Sequence, residues 1–331
     1  MSKKKKSEID RLKEDVEAGG ITLVLGSGIS HDSELPNWNE LLQKMLRMGQ
    51  SKQKNLCDSF LCPFVPDTLS VLKAFEQFSY SDLGGYTRTE AFHLNLKKIL
   101  YENYSGVPDA ADTLSTIADV LIKDRQSDQP KIRRVITFNV DSLLEEHILE
   151  RSKKIKPHPI TQWYQSAMHF KSGIDIYHLH GFLPSDKYKP YEGKKNQPKY
   201  EDPSKELVFG DDEYWDMTSR PSSLPNVVML NALHDSHCVF IGLSMTDPNI
   251  ARWLALRANE IKASKRQQAG KSDRLGTLLS RHYWIEAETD SLRVAWLKSR
   301  GVRTLKLSDW DDLQKTFQSV FNTTEKRHRR V

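Results

Sequence analysis

Residues 21–30, ITLVLGSGIS, constrain this chain more than any other stretch. Ile21 to Leu25 form a short apolar run rich in β-branched residues, the composition of a buried strand. Gly26 and Gly28 follow at once, with Ser27 between them and Ser30 just beyond. After a polar turn, Leu41, Leu42, Met45 and Leu46 fall at helical spacing and predict a helix over 39–48. A buried strand that ends in a glycine turn and feeds a helix is a phosphate-holding arrangement of α/β proteins. There the glycines let the backbone come close, and free N–H groups attract an anion. A Gly-x-Gly after a strand is equally consistent with a plain tight turn. The rest of the chain must decide between them.

The same alternation recurs downstream. Strands are expected at 134–138, 174–179, 237–243, 282–287 and 302–307. Helices are expected at 7–18, 142–149, 226–234, 248–261 and 291–300. This order predicts an α/β fold, a Rossmann-like doubly wound parallel sheet covered on both faces. Residues from about 50 to about 130 read as a helical insertion, with helices over 69–78, 90–100 and 110–123. Residues 185–206 are polar and rich in Lys, Pro and Tyr, and read as a surface excursion. A short strand at 207–209, a helix starting at 211–217 and a basic loop at 262–274 complete the expectation. Three parts follow: a basic tail and helix (1–18), a nucleotide-binding domain carrying the insertion (19–310), and a C-terminal helix with a basic tail (311–331).

Bulk properties remove several function classes. The chain has 331 residues, 38% hydrophobic and 28% charged, as expected of a soluble protein. No apolar run approaches the ~20 residues that span a bilayer. The opening MSKKKKSEID lacks the apolar stretch of a signal peptide, so the cytoplasm is the expected location. Cys57, Cys62 and Cys238 make no Cys-x-x-Cys pair, which excludes a disulfide framework and a four-cysteine zinc ribbon. The net charge of +5 is carried by Lys3–Lys6 and by the last seven residues. The body is slightly acidic, so a globular nucleic-acid surface is not implied.

Four strand ends carry residues suited to chemistry: Gly26–Ser30, Asn139 with Asp141, His180, and Gly242 with Ser244 and Asp247. In a doubly wound sheet all four lie on the carboxyl edge, where ligands bind. Each also has a plainer reading. Asn139 and Asp141 can cap the helix that starts at Ser142, and Ser244 and Asp247 the one after Pro248. His180 can be a core histidine. His178 and His180 lie two apart and can share a metal, but no third ligand with suitable spacing is evident. Tyr214 and Trp215 can line a base pocket or simply pack in the core.

The motifs LGSGIS, TFNVD, LHG at 179–181 and IGLS at 241–244 resemble, in order and approximate spacing, the motifs of the sirtuin family. The resemblance spans about residues 20–310. Two departures stand out. The family's deacylases carry four zinc cysteines after the histidine, where this chain has the lysine-rich 185–206 stretch. They also carry Pro-Asp-Phe-Arg where this chain has Pro36-Asn37-Trp38-Asn39. The chain looks more like the zinc-less sirtuin-like domains of bacterial antiphage systems, which break down NAD in abortive infection.

That resemblance implies NAD as substrate and no metal. Gly26, Ser27, Gly28 and Ser30 would cradle the pyrophosphate, the glycines through their N–H groups. Asn139 would contact the nicotinamide ribose and orient water. Asp141 would accept from the nicotinamide carboxamide. His180 would act as general base. Gly242 and Ser244 would bind near the phosphates and the adenosine ribose. The expected partner is a second copy of the chain or a separately encoded sensor or activator protein. A deacylase, an ADP-ribosyltransferase and a non-enzymatic NAD or ADP-ribose sensor are the competing functions.

Overall fold

In the computed structural model, residues 6–36, 40, 41, 43–45, 88–107, 112–161, 173–189, 207, 208, 211–267 and 281–321 are described. Seven strands form one sheet: β1 (Ile21–Leu25), β2 (Ile132–Thr137), β3 (Lys156–Ile160), β4 (Gly173–His178), β5 (His237–Ile241), β6 (His282–Glu286) and β7 (Val302–Lys306). Their spatial order is β3-β4-β2-β1-β5-β6-β7, and every pairing is parallel. From β1 the chain builds outward to β2 and β4 on one side, then returns to place β5 on the other. The direction of winding therefore reverses between β1 and β5. The crevice beyond the carboxyl ends of such a pair is the usual ligand position in this architecture.

Strand alternation divides the core in two. Ile21, Leu23 and Leu25, with Val135, Val239, Ile241, Tyr283 and Ile285, face one layer. Val24, Ile136, Cys238, Phe240 and Trp284 face the other. The first layer holds α1 (Glu8–Ala18), α3 (Thr113–Gln126), α4 (Leu143–Arg151) and α9 (Asp312–Phe321). The second holds α6 (Leu224–Asp235), α7 (Pro248–Gln267) and α8 (Ser291–Ser299). A third cluster joins α2 (Arg88–Leu100) to Leu41, Met45, Val140 and Leu183. Helix α5 (Asp211–Ser219) follows the residues around Leu207.

Local sequence accounts for where the helices begin. The side chains of Ser7, Asp112 and Asp290 accept from the backbone N–H groups of Asp10, Ser115 and Arg293 at 3.1, 2.6 and 2.7 Å. These bonds occupy donors that a first turn leaves unpaired. Gly19 ends α1 at φ +81°.

Three expectations need correction. Strand β3, Lys-Pro-His-Pro-Ile, was not anticipated, because two prolines argue against a strand. It lies at the sheet edge, and Pro157 and Pro159 are two apart. Their missing donors face outward, and the ladder to β4 survives. Helix α7 runs on to Gln267, through the first part of the expected basic loop. Lys, Ala, Arg and Gln are good helix formers, so their charge did not signal a break. Leu207 and Val208 form no strand, although the Val208 N–H donates to the His180 carbonyl at 2.9 Å. The expected helix at 69–78, most of the 185–206 excursion, Cys57, Cys62 and most of both basic tails lie outside the described residues. Among the described residues no helix is long and apolar enough to cross a membrane.

His282 supplies a pH-dependent contribution to stability. Its Nδ1 accepts from the Cys238 N–H at 3.1 Å, which requires the neutral ring. Burial pushes its pKa down to about 3. A depressed histidine contributes stability that is complete above its unfolded pKa and lost as pH falls toward the folded value. Urea unfolding of wild type should weaken by a few kcal/mol between about pH 7 and about pH 4. His282→Leu should be less stable at neutral pH and lose less over the same interval.

Candidate functional site

The carboxyl ends of β1 and β5 are locked backbone to backbone. The Gly26 N–H donates to the Ile241 carbonyl at 3.0 Å and the Gly28 N–H to the Gly242 carbonyl at 2.9 Å. A Cβ on Gly26 would come within 2.5 Å of the Gly242 oxygen, and one on Gly28 within 2.8 Å of the Gly242 Cα. Gly242 itself has φ +66°, and a Cβ there would meet the Ile29 nitrogen at 2.6 Å. All three positions need glycine for close approach. The expected role of Gly26 and Gly28 as free N–H donors does not match this geometry, since both donors are spent on the β5 turn. The turn also carries the hydroxyls of exposed Ser27 and buried Ser30.

Ser30 connects this turn to the end of β2. The Asn139 Nδ2 donates to the Ser30 Oγ at 3.2 Å, and the Asn139 N–H to the Thr137 Oγ1 at 3.0 Å. Phe138, the residue before Asn139, meets the His180 ring edge-on with centroids 5.1 Å apart. Tyr214 from α5 packs on His180 at 5.9 Å. An unbroken series of contacts thus runs from the glycine turn through Ser30, Asn139 and Phe138 to His180.

The His180 ring is packed by these aromatic contacts. It is 92% buried, being 8% exposed, and its Nε2 has no hydrogen-bond partner. Burial lowers its pKa, with the charge of Asp247 opposing the shift. At neutral pH the ring is therefore a neutral base.

The two aspartates do cap helices. Asp141 Oδ1 accepts from the Leu143 N–H at 3.1 Å, opening α4. Burial, with help from Glu145, raises its pKa to about 6. Asp247 Oδ1 accepts from Asn249 and Ile250 at 2.7 and 3.0 Å, opening α7. Ser244 is exposed and shares a hydrogen bond with Thr246, which places it outside the contact series. Tyr214 and Trp215 part company: Tyr214 is buried against His180, whereas Trp215 is 63% exposed and is no core residue.

The sequence reading missed the polar groups beneath the site. His178 does not pair with His180. Its Nε2 lies 2.6 Å from Glu145 Oε1 and its Nδ1 3.0 Å from the Asn139 carbonyl oxygen. Glu146 beside it accepts from Ser142, Ser185 and Tyr104 at 2.6, 2.6 and 2.8 Å. The signal was present as two acidic residues inside the apolar helix LLEEHIL. Among the described residues no group of three or more His, Cys, Asp or Glu is arranged to hold a metal. Ser115, His147 and Asp112 have the residue types of a nucleophilic triad. Ser115 is buried and its Oγ also takes a bond from Arg151 at 2.5 Å, so no substrate reaches it.

The fold and this edge define a doubly wound, parallel class of α/β protein. The chain matches the SIR2-like domain over residues 133–305, more than half its length. It belongs to the SIR2-like domain family. It is similar to solved Sir2 structures at low identity. One, described for the mechanism and regulation of Sir2 enzymes, is 12% identical, with a TM-score of 0.42, over 96% of this chain and 97% of that one. A Sir2 homologue variant with ADP-ribose is 13% identical, with a TM-score of 0.45 and the same coverage. A Sir2 homologue with NAD is 12% identical, with a TM-score of 0.40, over 95% and 94%. No curated protein matches the chain.

The glycine lock predicts its own fragility. Gly242→Ala should destabilise the protein by ~1–3 kcal/mol in urea unfolding, from positive φ and backbone overlap together. An unchanged midpoint would mean that the two turns do not pack as described.

Proposed function

We propose that this protein binds NAD at the carboxyl edge of β1, β2, β4 and β5 and hydrolyses its nicotinamide–ribose bond. The observation that carries this reading is the contact series from Ser30 through Asn139 to His180 at the sheet's reversal point. Membership of the SIR2-like family supports the choice of NAD. The setting we propose is depletion of NAD in bacterial antiphage defence, which the resemblance to zinc-less sirtuin-like domains suggests.

The chemistry asks little acid catalysis of the protein. Nicotinamide leaves NAD as a neutral molecule, because the ring nitrogen takes the bond's electron pair and discharges its cation. The transition state is oxocarbenium-like, so positioning and exclusion of bulk water dominate. Asn139 orients the ribose and a water molecule. His180, neutral and unpartnered, accepts the proton of that water as its oxygen bonds to the ribose carbon. The products are nicotinamide, ADP-ribose and one proton. Ser27 and Ser30 hydroxyls donate to the pyrophosphate, while Gly26, Gly28 and Gly242 let the chain come near it. Asp141 accepts from the nicotinamide carboxamide. Activity is held off until a partner protein or self-assembly switches it on.

NAD consumption by purified protein, with and without an acylated peptide and with co-expressed neighbouring proteins under phage challenge, tests this reading. Wild type should release nicotinamide without peptide. Asn139→Ala and His180→Ala should each lose about 100-fold or more. Strictly peptide-dependent turnover would replace hydrolysis with deacylation, and binding without any release would indicate a sensor.

Asp141 gives the reaction a pH signature. With its pKa raised to about 6, it carries its negative charge above that value and loses it below. The KM for NAD should rise as pH falls through about 6, and Asp141→Asn should abolish that rise.

A further inference from the structure

We propose that Glu145 and His178 form a neutral dyad whose task is to hold Asn139 in its working orientation. As a contribution to catalysis this rests on the NAD-cleaving reading above. The dyad itself rests on geometry alone. His178 is 2% exposed and Glu145 fully buried. Glu145 Oε2 has no hydrogen-bond partner, so the carboxyl's one bond is to His178.

A proton count settles how the ring is used. The Asn139 carbonyl oxygen can only accept, so His178 Nδ1 must carry a proton and donate at 3.0 Å. Between Nε2 and Glu145 Oε1, 2.6 Å apart, there is room for one proton more. Whichever atom holds it, the pair has no net charge. A buried ion pair of this kind is a poor source of stability but a good source of fixed geometry.

The geometry reaches Asn139 directly. Its N–H is held by Thr137 Oγ1, its carbonyl by His178, and its carboxamide meets Ser30. The His178 ring is itself braced by Phe182, 4.6 Å away between centroids. Glu145 lies on α4, the helix that Asp141 opens, and His178 ends β4, two residues before His180. The dyad thus ties the two strand ends that carry Asn139 and His180 to one buried point. Glu145 and His178 are positioning residues, since neither is placed against substrate.

Two measurements test this. The first is the nitrogen NMR signature of the His178 ring in wild type. Nδ1 should be protonated throughout the neutral range, and an unprotonated Nδ1 in the folded protein overturns the proposal. The second compares His178→Phe/Glu145→Leu with Glu145→Gln. The double variant removes both partners and leaves no buried charge, so it should fold with a midpoint near wild type. Its Asn139 carboxamide resonances should shift and broaden, and NAD turnover should fall roughly 10- to 100-fold, in kcat more than KM. Glu145→Gln should keep both, because its amide N–H can donate to Nε2. Wild-type Asn139 signals in a folded double variant overturn the proposal. If the double variant fails to fold, the ring-nitrogen measurement decides alone. If wild type consumes no NAD under any activating condition, the hydrolase reading fails, and the Asn139 resonances still decide for or against the dyad.

Discussion

The bond from the Gly28 N–H to the Gly242 carbonyl is the contact on which the site depends. It joins the turns after β1 and β5, the strands between which the sheet reverses its winding. Everything on the ligand edge is placed relative to that junction. Glycine is required at three positions there because the two turns converge with no space for a Cβ. Trp284 supports the same turn from beneath, donating from Nε1 to the Leu243 carbonyl at 2.8 Å. The glycine turn is thus a structural joint first. The Gly26 and Gly28 amides are already occupied in making it.

Much of the fold was legible because its signals were local and strong. Six of the seven strands were readable from short stretches of apolar and β-branched residues, and several helices begin at Ser or Asp caps readable by type and position. The seventh, β3, was hidden because a proline-containing segment qualifies as a strand only at a sheet edge, and edges are a property of the assembled sheet. The end of α7 was hidden for the opposite reason: basic residues serve equally well in a loop or on an exposed helical face.

The site was legible in its outline but not in its wiring. Strand-end position alone nominated Asn139, Asp141, His180 and the glycines. The Asp141 cap was readable from its place before the helix, but spacing could not show that Ser244 stands apart. The partnership of Glu145 with His178 crosses 33 residues and needs both strand and helix in place. His178 and His180 look equivalent in the string HLHG. Packing makes them opposites, one bonded through both ring nitrogens and the other with its Nε2 left unpaired.

That contrast is the sharpest argument for where chemistry happens. Buried polar groups are ordinarily satisfied, so an exception asks for a reason. His147 and His158 each engage Nδ1 with a neighbouring side chain, Ser115 and Asp175 respectively. Those bonds fix both rings. His180 has no such anchor. Aromatic neighbours fix its plane without consuming its lone pair, and burial keeps it uncharged. A ring packed in this way leaves its Nε2 unspent, at the same sheet edge as Asn139, whose N–H, carbonyl and carboxamide are each hydrogen-bonded.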